Sequence, residues 1–280
     1  MKNELKALVR ELKGVASGLD AEDYAGTLPA PAAAARPAAA AVQNEHPVPV
    51  HKSKIHAPQT NLMSAFPEGA DALAAIAEEI AHCKKCALGE TRIKAVPGVG
   101  NPGARIMFIG EGPGYEEDHK GEPFVGRAGN LLDKIINAMG LQRGDVYIAN
   151  AVKCHPTIDP TDHEKHGNDR PPSPQETEAC HDYILRQIAA IKPEIIVALG
   201  GSAARALLGG GEKASLASFR KRINILPPEK FPIGYELKVV ATYHPAALLR
   251  NPGWKKDTWD DIKAVMRELN LPLPAKTETK

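Results

Sequence analysis

Apolar positions along the chain follow two periods that alternate after a distinct N-terminal stretch. Residues 2–15 set Leu5, Leu8, Val9, Leu12 and Val15 at helical spacing among Lys and Glu, which predicts a short amphipathic helix. Thr27 to Thr60 is Ala- and Pro-rich with almost no bulky apolar residue, a composition that cannot bury enough surface to fold. The expected plan is an amphipathic arm at 1–16, a tether at 17–67, a folded domain at 68–272 and a polar tail at 273–280. Within the domain a helix is predicted from Glu68 to about His82, a strand at Arg105–Gly110, a helix at Ala128–Met139 and a strand at Val146–Val152. A helix follows with Ser173 as N-cap, Pro174 at its first position and Glu176 three residues after the cap, ending near Ile191. Strand Glu194–Leu199, a helix from Ser202, strand Lys238–Thr242 and a last helix near Asp257–Leu269 complete the series. The alternation predicts an α/β fold of three layers, α-β-α, around a central four-stranded, mostly parallel sheet.

In such sheets, sites form beyond the carboxyl ends of the strands. The segments after Ile109, Ile148, Ala198 and Ala241 are therefore the ones to inspect, and three of the four hold unusual residues. After the first strand comes Gly110-Glu111-Gly112-Pro113-Gly114, then Pro123-Phe124-Val125-Gly126. Glycines this dense either make a tight strand-to-helix turn or let backbone N–H groups approach a ligand. No Gly-Lys-Ser/Thr ending follows, and Glu116, Glu117 and Asp118 make the loop acidic, which excludes a phosphate-binding P-loop. After the second strand comes Asn150-Ala151-Val152-Lys153-Cys154, and after the fourth Tyr243-His244-Pro245-Ala246-Ala247-Leu248-Leu249-Arg250. An Asn amide presents an acceptor and donors in one plane, matching N3–H and O4 of uracil and opposing the cytosine edge. A lone Asn or His at a strand end can equally be a turn or cap residue.

The formal net charge of +1 excludes a uniformly basic nucleic-acid coat, so DNA contact would rest on a local patch. Lys213, Arg220, Lys221 and Arg222 form the densest basic stretch, with a solvated loop as the alternative reading. No run of about 18 apolar residues occurs, so no membrane span is expected. Glu4, Arg10 and Glu11 interrupt the N-terminus where a secretory signal would be apolar, so a cytoplasmic location is expected. In a reducing compartment Cys83, Cys86, Cys154 and Cys180 point to a metal or cluster rather than to disulfides, and four thiolates suit zinc or an iron–sulfur cluster equally.

From roughly Ile80 to Leu269 the chain resembles the family 4 uracil-DNA glycosylases, first catalogued as phage DNA-polymerase-related proteins. The resemblance rests on the Gly-Glu-Gly-Pro-Gly loop, Pro123-Phe124-Val125-Gly126, Asn150 to Cys154, and His244-Pro245-Ala246-Ala247, in that order. It implies hydrolysis of the bond between uracil and deoxyribose in DNA, in base excision repair. It also implies a [4Fe–4S] cluster on Cys83, Cys86, Cys154 and Cys180, of structural purpose, and a monomer acting on single- or double-stranded DNA. Phe124 would stack on the extruded uracil and Asn150 would read its polar edge, while Gly110 and the backbone of Glu111 and Gly112 would approach base and sugar. His244 would donate to the developing O2 anion, with Glu111 lending electrostatic help and Glu117 obstructing a thymine methyl. Gly112 stands where the classical enzymes carry a water-positioning Asp, which leaves the water's partner open. The segment Leu248-Leu249-Arg250 resembles the loop that enters the duplex, with Leu248 as the expected wedge.

One departure is the inserted segment Thr157–Arg170, with His163 and His166. A related branch traps uracil on a histidine in this loop, but its Lys-Arg-Arg-Ile-His run is absent here, so turnover is expected. The rival readings are a non-catalytic DNA-binding module of the same fold and a glycosylase for another deaminated base. The arm at 1–16 is a candidate dock for a replication or repair protein.

Overall fold

The computed structural model describes residues 68–162, 164–211, 213–226 and 235–273. The helix expected at 2–15, its tether and nearly all of the polar tail lie outside the described residues.

The four expected strands form and are continuous apolar runs: β2 (Ile106–Gly110), β3 (Tyr147–Asn150), β4 (Ile195–Leu199) and β6 (Lys238–Thr242). Every residue of the first three is buried, as for strands of a parallel sheet covered on both faces. The sheet has six strands rather than four, because β1 (Val99–Gly100) and β5 (Asn224–Ile225) add a short antiparallel strand at each edge. The order is β1-β3-β2-β4-β6-β5, with β3, β2, β4 and β6 mutually parallel.

Side chains alternate between two cores. Met107 and Ile109, with Ile196, Ala198, Val239 and Ala241, face α1 (Gly69–Ala81), α5 (Pro174–Ile191) and α6 (Gly201–Leu208) through Ile76, Ile80, Ile188 and Leu207. Ile106, Phe108, Ile195, Val197 and Val240 face Leu132 and Ile136 of α4 (Arg127–Ala138) and Ile262, Val265 and Met266 of α8 (Lys255–Glu268). Each fully buried Ile, Leu, Val, Phe or Met among them contributes about 1.5–3 kcal/mol relative to leaving it in water. Three short helices, α2 (Leu88–Thr91), α3 (Tyr115–Lys120) and α7 (Pro245–Arg250), sit in the connections.

The N-terminus of α5 is capped as its residues predict. Ser173 Oγ accepts the Glu176 N–H at 3.2 Å, and the Glu176 carboxylate accepts the Ser173 N–H at 2.7 Å. The same carboxylate takes two bonds from Arg170, at 2.8 and 2.6 Å, and so ties down the end of the 157–170 insertion. Inside the insertion the Ile158 N–H donates to Asn168 O, and Asn168 Nδ2 donates to the carbonyls of Asp159 and Asp162.

Strand β2 is flanked by β3 on one side and β4 on the other, so the chain reverses its direction of travel across the sheet at β2. That switch point opens a crevice at the carboxyl ends. Gly110, Asn150, Leu199 and Thr242 end their strands there, with Gly110 in register with Asn150 and Leu199 with Thr242.

Candidate active site

Asn150 is 2% exposed, and its Oδ1 has no hydrogen-bond partner. It sits over Gly110, where an added Cβ would overlap that oxygen and come within 2.6 Å of Phe124 Cζ. The absence of a side chain at Gly110 is therefore what lets the amide and the aromatic ring share one space.

Phe124 is 5% exposed and holds a left-handed backbone, φ 53°. That conformation costs a residue with a side chain about 1–2 kcal/mol, so its surroundings must enforce it. Gly129 of α4 packs so closely that any Cβ there would overlap the Phe124 carbonyl. One residue on, the Val125 N–H donates to Glu117 Oε1 at 3.1 Å, while Oε2 accepts the Gly114 N–H at 3.1 Å. The Glu117 carboxylate thus clamps the loop after β2 to the Phe124 turn.

His244 lies after β6 as the N-cap of α7, and its ring centroid is 5.4 Å from that of Phe124. Nδ1 accepts the Ala246 N–H at 3.1 Å. An accepting Nδ1 assigns the proton of the neutral ring to Nε2, leaving that nitrogen as donor. Burial, assisted by the positive charge of Arg250, lowers the ring to about 4, so it is neutral near pH 7. Gly200, at φ 93°, makes room for it: a Cβ there would stand 3.2 Å from the His244 Cβ.

Glu111 and Gly112 follow β2. Burial raises the Glu111 carboxyl, opposed by a hydrogen bond from Ser202 and the charge of Arg205. Arg205 Nη2 donates to Ser202 Oγ at 3.1 Å and Nη1 to Ala214 O at 3.2 Å, which fixes Ser202 and Arg205 relative to each other on α6. Gly112 lies against Pro156 and Val152, with 3.6 Å between a Cβ built on it and Pro156 Cδ.

Two expectations for DNA contact are corrected. Leu248 is 1% exposed, because α7 lies against α4 and turns this residue inward, so it cannot be the wedge. Leu249, half-buried, and Arg250, exposed, are the residues of that segment that reach the surface. Arg220 is likewise buried: its Nε donates to Asp261 Oδ2 at 2.8 Å, where Thr242 Oγ1 also donates at 2.8 Å. Lys213, Lys221 and Arg222 of the same stretch are exposed.

Cys83 and Cys86 follow α1, Cys154 follows β3 and Cys180 lies in α5, and all four are free thiols lining one cavity. Donors point at the sulfurs: Arg92 Nη1 to Cys154 Sγ at 3.0 Å and the Lys85 N–H to Cys83 Sγ at 3.5 Å. Burial pushes the Cys154 thiol up to about 11 and raises Cys180 as well. Among the described residues, no three His, Cys, Asp or Glu side chains converge closely enough to hold a single metal ion.

Several residues of the site carry no signal in a single sequence. Lys153, 1% exposed, donates from Nζ to the Asn150 carbonyl and to Gln187 Oε1, each at 2.7 Å. It was legible only as part of the Asn150–Cys154 motif. Ser202, Arg205, Gly129 and Gly200 act through contacts made far along the chain or set by local backbone geometry.

Comparison with known proteins places this geometry. The model of the uracil DNA glycosylase superfamily matches residues 97–265, a span that takes in every strand end described above. A type-4 uracil-DNA glycosylase of Archaeoglobus fulgidus is 42% identical over 190 residues, covering 68% of this chain and 89% of the relative. One from Sulfurisphaera tokodaii is 42% identical over 204 residues (72% and 86%), and one from Thermotoga maritima 41% over 178 residues (63% and 82%). With the glycine loop, the buried Asn150 and the capping His244 meeting at one crevice and these relatives matched across it, the chain belongs to the uracil DNA glycosylase superfamily and, within it, to the type-4 uracil-DNA glycosylases.

Proposed function

We propose that the chain releases uracil from DNA by hydrolysis, with Asn150 and Phe124 holding the base and His244 receiving the charge that develops on it. The observation that carries this assignment is Asn150 Oδ1, buried, unpartnered and beside an aromatic ring. An unpaired buried acceptor costs about 1–3 kcal/mol, and uracil N3–H supplies the missing donor while Nδ2 donates to O4. Cytosine offers an acceptor at N3 and donors at N4, so both contacts would become repulsive.

The C1′–N1 bond breaks with its electron pair going to uracil, leaving an anion centred on N1 and O2 and an oxocarbenium-like sugar. The Nε2–H of neutral His244 stabilises the anion by a hydrogen bond, without giving up its proton. Glu111, fixed by Ser202 and Arg205, offsets the positive sugar. Water bonds to C1′ and loses a proton to solvent, while the uracil anion takes one up. Glu117, locked by two backbone N–H groups, is proposed to block a base bearing a methyl at C5.

The residues also fit a [4Fe–4S] cluster on Cys83, Cys86, Cys154 and Cys180. Support comes from four thiols around one cavity and from donors aimed at two of the sulfurs. When bound, such a cluster supplies iron–thiolate bonds that join the segment after α1 to the end of β3 and to α5. Anaerobically purified protein should then carry about four irons per chain, and Cys180→Ser should lower both iron content and melting temperature.

The direct test uses an end-labelled oligonucleotide holding one uracil, with alkali to cleave abasic sites. Cleavage that requires uracil and is lost in Asn150→Ala supports the assignment. Cleavage unchanged in that variant would remove Asn150 from it, and binding without cleavage would favour a non-catalytic module.

A further inference from the structure

Tyr243, immediately before His244, carries two stacked neighbours. The Arg220 guanidinium carbon lies 4.1 Å from its ring centre, and the Trp254 ring stacks on it with centroids 4.6 Å apart and planes 14° apart. Two planar groups this close cannot share one face, so the three form a ladder with Tyr243 in the middle and the indole at an end. Trp254 is 39% exposed, and the other strongly exposed large apolar residues among those described, such as Ile158 and Ile225, are aliphatic.

Trp254 is also held in place at its backbone. Its backbone N–H donates to Asn251 O at 3.1 Å, and its carbonyl accepts from Thr258 Oγ1 at 3.1 Å at the start of α8. Exposed Arg250 and Lys256 flank it in the chain, and its stacking partner Tyr243 directly precedes His244, which sets this turn beside the site. A rigid aromatic face edged by cations suits a nucleobase attached to phosphates. A base inside a duplex already stacks on both faces, so the platform suits an unpaired one.

We propose that Trp254 is a stacking platform for an unpaired base of the uracil-bearing strand, next to the extruded nucleotide. The proposal rests on the His244 crevice being the uracil site, and it adds a subsite outside the uracil pocket. Stacking on a fixed indole anchors the strand without reading its sequence, because every base has a π-face.

The test compares wild type, Trp254→Ala and Trp254→Phe on a single-stranded oligonucleotide holding one deoxyuridine. Loss of one base–aromatic stack should raise KM about tenfold in Trp254→Ala and less in Trp254→Phe. The kcat, the melting temperature and inhibition by free uracil, which fills only the inner pocket, should stay as in wild type. An abasic spacer beside the uracil, on its 5′ or its 3′ side, should impose the same loss on wild type and no further loss on Trp254→Ala. In a Trp259→Phe background, the Trp254 fluorescence should be quenched by the same strand without uracil. A KM within twofold of wild type, or a fall in melting temperature and uracil inhibition together, would overturn the platform. The first result would leave uracil release untouched, whereas a wild type that released no uracil would remove the site assignment along with the platform.

Discussion

Gly110 and Asn150 face each other in register at the ends of β2 and β3, and the empty side of Gly110 is occupied by the Asn150 amide. A methyl at residue 110 would overlap Oδ1 and come within 2.6 Å of the Phe124 ring. The backbone there is a regular strand, so the substitution acts through space and not through strain. Gly110→Ala should therefore fold but displace the amide, with uracil excision falling at least 100-fold and the melting temperature changing by only a few degrees. Steady-state kinetics beside a thermal melt checks this, and activity within tenfold of wild type would show that the amide can move aside.

For His244 the expectation concerns both rate and protonation. Removing one preorganised donor at a developing anion typically costs about 100- to 1,000-fold in kcat, and His244→Ala should fall in or beyond that range. Desolvation of the half-buried ring, assisted by the charge of Arg250, lowers it from 6.5 to about 4. As pH drops from about 6.5 to about 4, the unfolded chain takes up a proton here that the folded one refuses, so this group lowers stability across that window and is silent above it. Titration of the labelled imidazole by NMR should show a midpoint near 4. A midpoint near 6.5 would mean an imidazolium at mildly acidic pH and a different catalytic form.

Glu117 provides a separate test, of specificity. Both its oxygens accept backbone N–H groups, from Gly114 and Val125, so the carboxylate cannot swing away from a bulkier base. Glu117→Ala removes the clamp and, with it, the proposed obstruction. Thymine release from a G·T mismatch should become measurable, with uracil release reduced less than the thymine gain. If Glu117→Ala and Glu117→Gln both release no thymine, the carboxylate serves only to hold the two loops.

Much of this was legible in the chain itself, and the exceptions share a cause. The core strands, the Ser173–Glu176 cap and the residues at Asn150, Phe124 and His244 are local signals of apolar runs, cap chemistry or motif. Strands β1 and β5 are two residues each, too short to show any alternation. The inward turn of Leu248 is set by the packing of α7 on α4, and the strained backbone of Phe124 by a glycine five residues later. Arg220 looked like surface charge because its partner, Asp261, lies 41 residues further along the chain.

That last pairing separates two kinds of basic residue in one short stretch. The Arg220 side chain is 6% exposed and that of Asp261 2%, so removing the guanidinium leaves a buried carboxylate with only the Thr242 hydroxyl. Breaking one side of such a pair costs about 3–5 kcal/mol, which denaturant melts of Arg220→Met should show as a lowered midpoint. Lys221 and Arg222 are exposed, and Arg222 is held only by solvent-exposed hydrogen bonds to Asn224 Oδ1 and the Ser218 carbonyl, so their alanine variants should melt within a few degrees of wild type. If each meets a phosphate, each replacement should weaken DNA binding across sequences and reduce the slope of log K against log salt by about one. Arg220→Met, assayed where it is folded, should keep the wild-type slope. A reduced slope without lost stability would mean that Arg220 leaves Asp261 and reaches the DNA in the complex.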